Sequence, residues 1–301
     1  MDAAETTVAA PSPTWALMPV LDAVDYTLQA VEDLLQQTVP MRVLIIDQGS
    51  TKATNDRLRQ LAEGYHPKVL LWSFNPALPS LSAAWNAGLD FCWDLGEEEV
   101  LVVNNDVRLH QMTVKVLQTV RVRTKALFVS TVGVREPQFD PTADVWTAIG
   151  EPCLPEAYAK GGPDFSCFLL SREGHRKYRF DEGFIPAYNE DLDMHRRYML
   201  GGDGDKIFSI NLPFLHFASR TINVMTPESR ASWEKRRNIS REYYLRKWGG
   251  GANSETFRVP FGQGEYPAWL TAALLEPGQS QLQTTPELQA YWRIKPMGST
   301  L

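Results

Sequence analysis

VLVVNNDVRL, residues 100–109, is an apolar run that ends abruptly in two amides and a carboxylate. Consecutive branched apolar residues predict a strand buried on both faces, as strands of a parallel sheet are. Such a strand has no packing need for Asn104, Asn105 and Asp106 at its end. The same form returns at VLIIDQGST, residues 43–51, where the polar stop is Asp47. In open α/β sheets ligands sit outside the carboxyl ends of the strands, so Asp47 and Asp106 are expected to share one site.

Around these two strands, apolar runs alternate with helix-length amphipathic stretches. TWALMPVL reads as the first strand. In YTLQAVEDLLQQT, Leu28, Val31, Leu34 and Leu35 fall at helical spacing before Pro40 interrupts. MRVLIID, KVLLWSF and EVLVVNN read as further strands, separated by helices at NDRLRQLAEG and SLSAAWNAGLDFCWDL. This alternation predicts an α/β fold with a mostly parallel central sheet flanked by helices. After residue 110 the rhythm loosens. ALFVSTVGV, FSCFLLS and KIFSINLPFLHF read as strands, while 135–165 is rich in Pro, Gly and Asp. YNEDLDMHRRYMLGG predicts a short helix with Asn189 as N-cap, acids in its first turn and Gly201 as its stop. The expected organisation is a core domain over 14–221, with 222–301 a helical and coil extension packing on it. No internal repeat is visible.

Composition narrows the class. With 36 acidic against 30 basic residues the net charge is −6, which excludes chain-wide attraction to nucleic acid or anionic membrane. Cys92, Cys153 and Cys167 are odd in number and lack C-x-x-C spacing, which speaks against a disulfide framework or a structural zinc site and fits a reducing compartment. The start MDAAETTVAAPSPTW has neither a basic n-region nor a long apolar core. No later run approaches the roughly 20 apolar residues that span a bilayer. A cytoplasmic protein without a transmembrane segment is expected; nothing in the sequence fixes its oligomeric state.

A strand-end carboxylate can accept hydrogen bonds from a nucleobase or ribose, bind a divalent cation that clamps a diphosphate, or simply cap a turn. The accompanying motifs decide between these. In chain order, ALMPVLD, LIIDQGST, NPALPSLSAAWNAGLD, VLVVNNDVRL, FDEGFIPAYNEDLDMHRRYMLGG and FLHFASRT resemble the family-two glycosyltransferases of the GT-A fold, over about residues 14–250. The resemblance implies an enzyme that moves a sugar from a nucleotide-sugar donor, UDP-sugar favoured, to an acceptor hydroxyl on a saccharide or glycolipid. It makes Asp47 the contact for the donor base, with Pro19 and Val20 beside it. Asn86 matches a donor-site Asn that usually follows an Arg; here its neighbour is Trp85. NND matches the D-x-D signature with Asn104 in place of the first Asp, so Asn104 and Asn105 become donor contacts and Asp106 the surviving ligand for Mn²⁺ or Mg²⁺. His216 matches a further metal contact. An amide still hydrogen-bonds hydroxyls but carries no charge, which predicts weaker metal binding than two carboxylates give.

An acceptor hydroxyl needs a carboxylate to take its proton. The resemblance assigns that role to Asp191, with Glu190 orienting a sugar. The helix start is expected to keep both ionised. Gly161 and Gly162 match the loop over the acceptor. The mechanism implied is a single inverting displacement. Two alternatives stand beside it. One is an inactive sugar-nucleotide binding module, given the altered D-x-D. The other is the same chemistry on DNA carrying a hydroxymethylated pyrimidine, because the 228–248 segment holds Arg230, Lys235, Arg236, Arg237, Arg241, Arg246 and Lys247 among Trp233, Tyr243, Tyr244 and Trp248. Such a segment reads equally as an amphipathic helix that packs its aromatics on the domain.

Overall fold

A computed structural model of the chain describes residues 13–135, 164–217 and 226–262. Gly161, Gly162 and Cys153 therefore lie outside the described residues. The strands are β1 (Thr14–Val20), β2 (Met41–Asp47), β3 (Val69–Ser73), β4 (Glu99–Val103), β5 (Val107–Arg108), β6 (Phe128–Arg135), β7 (Cys167–Ser171) and β8 (Ile207–His216). They form one sheet in the order β3-β2-β1-β4-β7-β6-β8-β5. β3, β2, β1 and β4 run parallel, and so do β6 and β8. β7 enters between β4 and β6 antiparallel to both, and β5 pairs antiparallel with β8.

The continuous apolar runs are explained by a core on each face of the sheet. Ala16, Met18, Val20, Val43, Ile45, Leu101 and Val103 point to one face, under α1 (Val24–Leu35), α2 (Lys52–Gly64) and α4 (Thr113–Thr124). Trp15, Leu17, Leu44, Ile46, Val100 and Val102 point to the other, under α3 (Leu81–Asp94) and, after α5 (Arg172–Lys177), α6 (Glu190–Leu200). Helix α3 approaches β1 most closely at Gly88, where an added Cβ would lie 2.2 Å from Leu17 Cδ1. Thr51 caps α2 and Ser80 caps α3, each side chain accepting from an N–H three residues on. α7 (Pro227–Trp248) is the last α-helix of the described residues and packs Tyr243, Tyr244 and Trp248 on Phe184. No helix among the described residues is long and apolar enough to cross a membrane.

Of the two expected ends of α6, the Asn189 cap is corrected and the Gly201 stop holds. Asn189 does precede α6, but in a left-handed conformation and without a side-chain cap; its amide donates instead to Ser240 Oγ at 3.4 Å. Gly201 is the last residue with right-handed angles, and Gly202, at φ +79°, is the left-handed one. The Gly202 N–H bonds the Met199 carbonyl and the Asp203 N–H bonds the Tyr198 carbonyl, the double closure that a left-handed glycine permits at a helix end.

Candidate active site

The carboxyl ends of β1, β2 and β4, the start of β7 and the end of β8 all fall on one edge of the sheet, because β7 is antiparallel to β4 while β8 runs with β4. Val20 pairs with Asp47 there and Pro19 with Ile46. Asp47 is 1% exposed. Its Oδ1 accepts from the Ser50 N–H at 2.9 Å and its Oδ2 from Asn55 Nδ2 at 2.6 Å, so it does cap the turn into α2. An ionised carboxylate has about four lone-pair sites, and these bonds use two.

At the end of β4 the three polar residues diverge. The Asn104 N–H donates to the Ser166 carbonyl at 2.9 Å. Asn105 turns inward and donates to Thr27 Oγ1 at 3.0 Å. Asp106, 6% exposed, faces His216, with Nε2 3.3 Å from Oδ1. Pairing of Val107 with His216 between β5 and β8 brings the two together. Beneath them Arg108 donates twice to Asp33 of α1, which also accepts the Leu109 N–H at 3.0 Å, fixing the chain that carries Asp106. His216 Nδ1 lies 3.2 Å from Ser166 Oγ, so one ring nitrogen is held from behind and Nε2 faces the carboxylate, as in many metal-ligating histidines.

Two ligands at right angles on an octahedral Mg²⁺, each roughly 2.1 Å away, lie about 3 Å apart. The Asp106–His216 spacing fits one ion. Among the described residues no group of three or more His, Cys, Asp or Glu could hold a metal, so the candidate ligands there are Asp106 and His216 alone.

Glu190 and Asp191 open α6. Glu190 is 6% exposed and its Oε2 has no hydrogen-bond partner among the described residues. Burial pushes its carboxyl well above the ordinary range, and the neighbouring Asp191 charge adds to this. Burial also raises Asp191; the Leu192 N–H, at 2.8 Å from Oδ1, works against that, and the charge of Asp164 works with it. Desolvation therefore works against the helix dipole that was expected to keep both ionised. Asp164 accepts the Ser166 N–H at 2.8 Å, so residues 164–166 connect the Asp106–His216 pair with Asp191.

The turn before α6 is held from two sides. His175 is buried, its pKa driven well down by desolvation, and its Nδ1 accepts from Trp93 Nε1 at 2.9 Å. The ring proton therefore sits on Nε2 and goes to Asn86 Oδ1 at 3.0 Å. This frees Asn86 Nδ2 for the Phe180 carbonyl and Glu182, at 2.9 and 2.8 Å, so its amide holds the segment entering the turn. From the other side Lys247 of α7 places Nζ 2.6 Å from both Asp181 and Asp193. Tyr243 also bonds Asp181, and Trp248 and Arg197 bond Asp193. Sequence reasoning missed Asp164, Ser166, Asp181, Asp193 and this use of Lys247. A signal existed, because Tyr243, Tyr244, Lys247 and Trp248 share one helical stripe.

Comparison with solved structures decides the fold's kinship. The mannosyltransferase PcManGT from Pyrobaculum calidifontis, in complex with GDP-Man and Mn²⁺, superposes with a TM-score of 0.51 at 15% identity over 93% of this chain and 69% of that one. S. aureus TarS 1–349 gives 0.50 at 12% identity, covering 76% and 70%. TarS in its longer form gives 0.50 at 14%, and this chain spans 44% of it. The chain has the GT-A fold. No family model matches the sequence, and no curated protein matches it. Within this GT-A fold Asp47, Asn104, Asp106, Ser166 and His216 share the sheet edge described above. The four α7 aromatics do not form a stacking surface, since Trp233, Tyr243, Tyr244 and Trp248 are all buried.

Proposed function

We propose that the protein is an inverting, metal-dependent glycosyltransferase that moves a sugar from a UDP-sugar to a hydroxyl of a saccharide or glycolipid in the cytoplasm. In this reading residues 14–221 are the transferase domain and 222–301 an extension packed on it. The observation that carries it is the Asp106–His216 pair, at 3.3 Å, on the same sheet edge as Asp47 and linked through residues 164–166 to a carboxylate of raised pKa, Asp191.

Asp191 takes the proton of the acceptor hydroxyl as its oxygen attacks the anomeric carbon. The bond from that carbon to the diphosphate oxygen breaks, and its electron pair leaves with the nucleoside diphosphate. A carboxylate with a raised pKa is a stronger base than an unperturbed one. A divalent metal on Asp106 and His216 would offset the charge growing on the leaving group. Asp47 has lone pairs left for an N–H of the donor base, with Pro19 and Val20 alongside. Asn104, at the end of β4, would meet the donor's ribose or sugar, whereas Asn105, expected to do the same, is turned inward onto Thr27. Glu190, whose Oε2 has no partner among the described residues, is left to hydrogen-bond a sugar.

A thermal-shift comparison of UDP and GDP, each with and without Mn²⁺, tests the reading, since a ligand of the folded state alone raises apparent stability. UDP with Mn²⁺ should stabilise most, and Asp106→Asn should abolish the metal's share. Stabilisation by GDP and not UDP would refute the base assignment. Metal-dependent UDP binding without any turnover of labelled UDP-sugars would identify an inactive binding module instead.

A further inference from the structure

Immediately before the base, two residues without glycine's freedom occupy left-handed conformations: Tyr188 at φ +78° and Asn189 at φ +68°. Such conformations are uncommon for non-glycine residues, rarer for a bulky aromatic than for Asn, and persist only where the surroundings enforce them. Here α7 enforces them. Ser240 Oγ donates to the Tyr188 carbonyl at 2.5 Å and receives the Asn189 amide. The result is a tyrosine that, as a residue, stays 39% exposed three positions before Asp191. It packs T-shaped against Trp233, with ring centroids 5.2 Å apart. The guanidinium of Arg237 lies 5.8 Å from the Tyr188 centroid and 5.7 Å from that of Trp233. Arg237 is exposed and has no carboxylate partner within 4.0 Å among the described residues, whereas Arg230 and Arg246 on the same helix are paired with Glu234 and Glu242.

We propose that Tyr188 and Arg237 form an acceptor subsite that binds a saccharide carrying a phosphate group, the sugar's apolar face on the Tyr188 ring and its phosphate on the Arg237 guanidinium. The inference rests on Asp191 being the base of the reaction, and it names the acceptor class for that site. The ring supplies a flat apolar surface on the turn that leads into the helix carrying Asp191. The fork geometry of an arginine matches two phosphate oxygens. The remaining exposed cations of α7 lie along the same helix and would favour an acceptor with several such groups.

UDP-loaded protein is titrated by saturation-transfer NMR with glucose 6-phosphate, with methyl glucoside and with inorganic phosphate, while UDP affinity is followed separately by calorimetry. Glucose 6-phosphate should bind about tenfold to a hundredfold more tightly than methyl glucoside, the range expected for hydrogen bonds to a charged group. Arg237→Ala should erase that preference, Arg237→Lys should restore part of it, and Tyr188→Ala should weaken both sugars alike. UDP affinity should hold throughout; its absence in the wild-type protein would indict the transferase reading instead. Equal binding of the two sugars, binding of neither, a preference that survives Arg237→Ala, or phosphate binding as well as the sugar phosphate would overturn the subsite.

Discussion

Replacing Lys247 by Met keeps the length of the side chain and removes its charge, leaving Asp181 and Asp193 facing each other across a buried gap. Their carboxylates each lie 2.6 Å from Nζ, and the Lys and Asp193 side chains are 1% and 0% exposed. Breaking a buried ion pair by removing one partner costs about 3–5 kcal/mol. The loss of two charge-assisted hydrogen bonds, at about 1.5–3 kcal/mol each, gives a similar figure. Tyr243, Gly183, Trp248 and Arg197 still solvate the two carboxylates, which favours the lower end. Urea denaturation followed by tryptophan fluorescence measures it, with Trp248 adjoining the lesion. The pH dependence carries a sign. Burial works to raise Asp181, but the charge and hydrogen bond of Lys247 outweigh it and hold the carboxyl below its ordinary value. Stability from that depression is present above the unfolded pKa, about 3.9, and is lost as pH falls through the folded one. The gap between wild type and Lys247→Met should therefore be widest at neutral pH and narrow below about pH 4. A loss under about 1 kcal/mol at pH 7, or a gap that widens in acid, would refute the clamp.

Asp191→Asn should lower turnover by about 10² to 10⁴ while sparing UDP affinity. In the wild type the acid limb of the kcat profile should lie above the ordinary aspartate range, since Asp191 is raised; a limb at or below it would move the base elsewhere. Glu190→Gln removes a carboxyl whose folded pKa is raised, so the wild type loses stability as pH climbs from about 4.3 and the variant does not. Its Tm advantage should be larger at pH 8 than at pH 5, and an equal advantage at both would contradict a raised Glu190. Gly88→Ala drives a Cβ to within 2.2 Å of Leu17 Cδ1 and should cost about 1–3 kcal/mol by overpacking, read as a lower urea midpoint; a neutral substitution would mean that α3 shifts freely on β1.

The central sheet was legible because its strands announce themselves twice, as unbroken apolar runs and as polar stops at Asp47 and Asp106. Helix α4 was not. Val114, Val116, Val120 and Val122 are β-branched, its start has no side-chain cap, and only its first residues are buried, so neither period nor punctuation marks it. At the site, residues adjacent in sequence to a strand end or helix start could be named, whereas Ser166 and Asp181 act through His216, Tyr243 and Lys247, 50 or more residues away. The charge states of Glu190 and Asp191 depend on how much protein covers them, and no local pattern reports that. Lys247 is the sharpest case, since a count of basic residues assigns it to a solvated face and the fold buries it.

The insertion of β7 between β4 and β6 has a consequence for assembly in time. A ribosome makes the chain from its amino end at about 5–20 residues per second, so β1 to β4 can pair while β7 has yet to be made. Until Cys167–Ser171 arrives, the outer side of β4 is an open strand edge, apolar on both faces, which is the kind of edge that recruits other chains. A chaperone that shields extended apolar segments should be found on nascent chains arrested after β4 has left the exit tunnel and before β7 has, and should leave once β7 has emerged.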